Sequence, residues 1–107
     1  MTDTAIKTRN DTDIKNDPRL DMKEPSLFKV IFVNDEITTM DFIIEVLKNV
    51  FHYQEDVARD TMQRIHQDGS AVIAVYPFEL AEQKGIETTI LARNNGFPLQ
   101  VKLEMDS

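Results

Sequence analysis

Six residues, Phe28-Lys29-Val30-Ile31-Phe32-Val33, constrain the fold of this chain more than any others. They alternate with the period of a strand, yet Ile31 and Val33 make the second face apolar as well, which predicts a central strand under helices. The run stops at Asn34-Asp35-Glu36, just before an amphipathic helix. A buried strand that ends in an amide and two carboxylates places hydrogen-bond acceptors at the edge of an apolar core. A cation with several N–H donors could be held there. The same residues also suit a plain turn, because Asn and Asp bond their own backbone between a strand and a helix.

The hydropathy pattern divides the rest of the chain. Thr38 or Thr39 suits the N-cap of the following helix, and Asp41 in its first turn is favoured by the macrodipole. Met40, Ile43, Leu47 and Val50 line one face, which Phe42 and Val46 widen. Phe51-His52-Tyr53 connects to a second helix over residues 55 to 67, with Val57, Thr61, Met62 and Ile65 facing inward and Gly69 as its left-handed cap. Residues 71 to 76 form a β-branched-rich strand, and Pro77 begins a third helix where proline is tolerated. Leu80, Ala81, Lys84, Gly85, Thr88 and Leu91 give that helix a face of mostly small residues, as close packing would require. After the turn Asn94-Asn95-Gly96, Leu99, Val101, Leu103 and Met105 alternate with Gln100, Lys102 and Glu104, the pattern of a strand with one wet face.

The expected fold class is α+β: a small sandwich of a three-stranded antiparallel sheet with three helices on one side, in the order β-α-α-β-α-β. Residues 27–107 make this core domain. Residues 1–26 carry few apolar side chains and no periodicity, and are expected to be a flexible, disordered tail.

Composition narrows the function. No cysteine is present among the 107 residues, so disulfides, zinc ribbons and thiol nucleophiles are excluded. A net charge of −7, with no Lys or Arg run interleaved with aromatics, argues against nucleic acid and anionic membranes as partners. The first residues lack the features of a signal peptide and no apolar run reaches membrane-spanning length, so a cytoplasmic, monomeric protein is expected. His66 and Asp35 could make a base and its orienter, but no nucleophile accompanies them and no glycine-rich phosphate loop exists. His52 and His66 have no histidine partner at helical ligand spacing. Neither an enzyme nor a metal or cofactor site is expected.

What does suit an amide, a carboxylate and an imidazole beside an apolar hole is an ammonium next to a hydrophobic side chain. A peptide N-terminus has that form, with three donors on its α-amino group. Met40, Ile43, Met62, Ile65 and Leu99 are the candidates for the hole, because methionines adapt and aliphatic residues set depth. Taken singly, Ile43 and Ile65 also read as ordinary core, and His66 as a favourable charge at a helix end.

Val30-Ile31-Phe32-Val33-Asn34-Asp35-Glu36, Thr38, Met40-Asp41-Phe42, His66 with Gly69, Glu79-Leu80-Ala81-Glu82 with Lys84, and Pro98-Leu99 together resemble the ClpS family of bacterial N-degron adaptors, over residues 25 to 104. The resemblance implies an adaptor that binds proteins with a bulky hydrophobic N-terminal residue, delivers them to a ClpA-type AAA+ unfoldase and its peptidase, and modulates that protease's substrate choice. It further implies that Asn34, Glu36 and His66 bind the α-amino group, that Asp35 and Thr38 shape the rim, that Met40 is a gate, and that Ile43, Met62, Ile65 and Leu99 line the pocket. Tyr76, Glu79 and Lys84 match the region facing the unfoldase's N-terminal domain, and the tail matches the segment needed for delivery. Glu36 stands where aspartate is usual, Thr39 where proline is common, and Ile43 and Ile65 where valines are often found, which implies a tighter pocket. The alternative reading is a general interaction module that docks an AAA+ partner without recognising an N-terminal amine.

Overall fold

A computed structural model describes residues 26–106 of the protein, so all but the last residue of the expected tail lies outside the described residues. β1 (Leu27–Val33) is followed by α1 (Met40–Asn49), α2 (Glu55–Asp68), β2 (Ser70–Pro77), α3 (Phe78–Asn94) and β3 (Gln100–Met105). This is the element order expected from the hydropathy pattern. The sheet is antiparallel with order β2-β1-β3, so the doubly apolar run is indeed the middle strand.

Val30 and Phe32 are fully buried and join the core with residues of all three helices. Ile31 stands between Val72 and Lys102 on the neighbouring strands and lies outside that core cluster, although it is only 9% exposed. Its apolar character thus reflects a middle strand shielded by neighbours on both sides.

A bulge interrupts the β1–β2 ladder: Val30 pairs with Ala74 and Ile31 with Val72, which leaves Ile73 as the extra residue. The Tyr53 hydroxyl donates to the Ile73 carbonyl at 2.6 Å. Because of the bulge, Val72 and Val75 are both exposed despite their odd spacing, while Ile73 is buried.

Helix faces depart from expectation at several points. In α2 the inward residues are Ala58, Thr61, Met62 and Ile65, whereas Val57 is exposed. These four follow the i, i+3, i+4, i+7 spacing of a single face, and the small Ala58 lets α2 approach its neighbours closely. In α3 the buried residues are Ala81, Thr88 and Ala92, while Leu80 and Leu91 are exposed. Pro77 ends β2 and caps α3 from outside, so the helix begins at Phe78. A Cβ on Gly85 would meet Val101 Cγ1 at 3.6 Å and Leu103 Cδ2 at 3.8 Å, ordinary contacts that do not demand glycine. Lys84, in the same helix, sends its ammonium to the Val50 carbonyl at 2.8 Å, where Val50 is the C-cap of α1.

Candidate functional site

The site follows from how β1 meets β2. Val33 pairs with Ser70, and the Asn34 N–H donates to the Gly69 carbonyl at 2.9 Å, so whatever follows β1 lies against whatever ends α2. Gly69 makes this junction possible by taking φ of 90°, a left-handed conformation that lets the chain leave α2 directly into a strand. His66, in the last turn of α2, is thereby brought to the Asn34–Thr38 loop, 28 residues away at its nearer end.

Within that loop the polar residues have different duties. The Asp35 carboxylate accepts from the Ile37 N–H at 2.8 Å, the Thr38 N–H at 2.6 Å and the Thr38 hydroxyl at 2.7 Å. Partial burial alone would push this carboxyl up, but those hydrogen bonds and the Arg93 charge outweigh it and hold Asp35 below the usual carboxylate range. Thr38 is therefore bonded to Asp35, and the N-cap of α1 is Thr39, whose hydroxyl accepts from the Phe42 N–H at 3.2 Å. The side chains of Asn34, Glu36 and His66 are exposed and make no hydrogen bond or ion pair among the described residues.

These groups rim a cavity of about 310 Å³, at the lower end of the usual range for ligand pockets. Its interior is apolar: Ile43, Met62, Ile65 and Leu99 line it and are each buried, while Met40 lines it at 45% exposed. α1 supplies Met40 and Ile43, α2 supplies Met62, Ile65 and His66, and the segment before β3 supplies Leu99. All ten residues expected at the amine site and pocket line this one cavity. Val33 lines it too and was not expected; its place at the end of the strand, adjoining Asn34, was the available signal. The Arg93 Nη1 donates to the Phe97 carbonyl at 3.0 Å and the Leu99 carbonyl at 2.8 Å, a connection invisible in hydropathy.

Tyr76, Glu79 and Lys84 are not gathered in the same way. A separate cavity of about 400 Å³ is lined by Ser26, Phe28, Pro77, Phe78 and Glu79, and includes neither Tyr76 nor Lys84. Tyr76 is half-buried, and burial pushes its phenol up. Lys84 is half-buried with its ammonium on the Val50 carbonyl. A third, apolar groove of about 280 Å³ runs between α3 and β3, past Gly85, Ile86, Ile90, Val101 and Leu103. No group of three His, Cys, Asp or Glu side chains suited to a metal occurs among the described residues. No helix among them is long and apolar enough to cross a membrane.

The family model for the ATP-dependent Clp protease adaptor protein ClpS matches residues 23–102. The chain belongs to the ClpS family. It is an adaptor and not an enzyme. A ClpS adapter protein of Nautilia profundicola is 43% identical over 93 residues, covering 87% of this chain and 94% of the relative. One from Shewanella halifaxensis is 39% identical over 98 residues, covering 92% and 96%. Among solved structures, Agrobacterium tumefaciens ClpS2 bound to L-phenylalaninamide is similar with a TM-score of 0.75 and 41% identity, over 78% of this chain and all of that one.

Proposed function

We propose that this ClpS family member captures the free amino terminus of proteins whose first residue is bulky and hydrophobic, and delivers them to a Clp AAA+ unfoldase and its peptidase. The observation that carries this reading is the cavity itself: a buried apolar interior under a rim on which the Asn34, Glu36 and His66 side chains make no hydrogen bond among the described residues. An ammonium offers three donors and a full charge, which the Glu36 carboxylate, the Asn34 amide oxygen and a His66 ring nitrogen can accept. L-phenylalaninamide, the ligand in the Agrobacterium structure, has this form: a free α-amino group, an apolar side chain and an amide carbonyl.

In this reading Asp35 and Thr38 hold the loop that presents Asn34 and Glu36, Met40 gates the mouth, and Ile43, Met62, Ile65 and Leu99 enclose the first side chain. Glu79, with Tyr76 behind it, faces the N-terminal domain of a ClpA-type unfoldase. Lys84 supports that surface through its bond to Val50. Residues 1–26 serve delivery after docking, and the adaptor works as a monomer in the cytoplasm.

The test is a titration of fluorescent peptides that begin with leucine. The free-amine peptide should bind and its N-acetylated twin should not, since acetylation removes both the charge and the donors. Equal binding of the two, or of neither, would leave a general interaction module without amine recognition.

A further inference from the structure

We infer that Arg93 is a positioning residue for the pocket: it straps the Phe97–Leu99 segment to the end of α3 and so sets how far Leu99 closes the cavity that receives the first side chain. This inference rests on the proposed N-terminal recognition. Between α3 and β3 the chain makes a short return in which the Gly96 N–H reaches the Arg93 carbonyl and the Phe97 N–H the Ala92 carbonyl. Pro98 lies in the middle of the next three residues and has no N–H to donate. β3 begins only at Gln100, so Leu99 precedes the strand.

Arg93 fills that gap with one nitrogen, which bonds the carbonyls on either side of Pro98 at 3.0 and 2.8 Å. The side chain held between them, Leu99, is 1% exposed and lines the cavity. Arg93 also exerts its charge on Asp35, whose carboxylate organises the opposite loop. The bonds that Arg93 makes are thus to the Phe97–Leu99 segment, while the Asp35 loop feels only its charge. A planar, permanently charged donor on the last turn of a helix suits this work, where the exposed carbonyls of the helix end favour a cation.

Removal of the strap lets Leu99 withdraw, and a wider cavity loses more contact with a small ligand than with a large one. The experiment measures affinities of free-amine peptides beginning with Leu, Phe and Trp for wild type, Arg93→Ala and Arg93→Lys, with thermal melting on the same samples. Tyr53→Phe, which loses the hydroxyl bond to the Ile73 carbonyl outside the pocket, serves as a destabilised control. The ratio of Leu to Trp affinity should fall about three- to tenfold in Arg93→Ala, recover in part in Arg93→Lys, and stay at the wild-type value in Tyr53→Phe. Should the alanine variant fail to fold, Arg93→Gln replaces it. An unchanged ratio, or one common factor of loss for all three peptides, overturns the role of Arg93. Acetylated Leu peptide is titrated against wild type alongside; if it binds as well as the free amine, the parent reading falls, whereas an unchanged ratio with normal amine dependence removes Arg93 alone.

Discussion

Asn34 and Asp35 are adjacent and chemically similar, yet only Asp35 is spent on the fold. Its carboxylate closes three hydrogen bonds within the loop, whereas the Asn34 side chain is left toward the cavity while its backbone N–H anchors to Gly69. The turn reading thus holds for Asp35, and the Asn34 side chain lines the cavity. Because the folded state holds Asp35 below the usual carboxylate range, its contribution is complete above the unfolded value near about 3.9 and is lost as pH falls through the folded value. Asp35→Asn should be less stable than wild type by about 1–3 kcal/mol at pH 7, with the difference shrinking once pH falls below the ordinary carboxylate value of about 3.9. Urea melts at the two pH values measure it; a difference that grew in acid would contradict the bonding of the loop. His66→Ala should behave in the opposite manner. Its side chain makes no bond among the described residues, so circular dichroism should show an intact fold with little change in melting, while affinity for a free-amine peptide should drop roughly tenfold to a hundredfold. A folded variant with unchanged affinity would remove His66 from the site.

At the scale of elements, α3 packs through small residues, and that has consequences for substitution. Gly85 lies inside α3 with φ outside the left-handed region, and a methyl group there would make ordinary contacts with Val101 and Leu103. Gly85→Ala should therefore stabilise the fold by about 0.5–1 kcal/mol, read as a higher melting temperature. A lowered one would show that α3 sits tighter on β3 than these distances allow. α1 and α2 each contribute one isoleucine to the cavity, Ile43 and Ile65, at 5% and 3% exposure. A methylene of misfit in an apolar pocket is worth about 1–3 kcal/mol, so N-terminal Leu and Phe should bind better than Trp by tenfold or more. The Ile43→Val, Ile65→Val double variant should reduce that preference; peptide affinities in both proteins would expose a failure if Trp already bound as well as Leu, or if the ratio did not move.

For the whole molecule, the cavity-lining residues among those described all lie within the folded unit from Leu27 to Met105. Deletion of residues 1–24 should accordingly leave peptide affinity within about twofold, because the deleted stretch is poor in the apolar residues that build a core. Delivery is a separate matter. In a reconstituted assay with unfoldase and peptidase, the truncated adaptor should bind degron peptide and fail to promote its degradation, and full turnover would refute the role of the tail.

The element order, the middle strand and nine of the residues around the cavity were legible in local signals, while Thr38, which reads locally as a helix cap, joins them only through the family resemblance. The signals were a doubly apolar run, caps and breakers at helix ends, and polar residues placed where strand and helix terminate. Tertiary structure decided what local period cannot carry. The bulge at Ile73 moved Val72 and Val75 to the same exposed side. Ala58 and Ala92 carry little apolar surface and give a weak inward signal beside larger neighbours such as Val57, Leu80 and Leu91, whereas Ala81 is both expected on the inner face and buried there. Lys84 on Val50, Arg93 on Leu99 and Asp35 on Thr38 are hydrogen bonds whose partners are mostly backbone groups, and every residue offers the same backbone carbonyl and, proline apart, the same N–H. No residue code marks such a partner; only the folded chain brings it within reach.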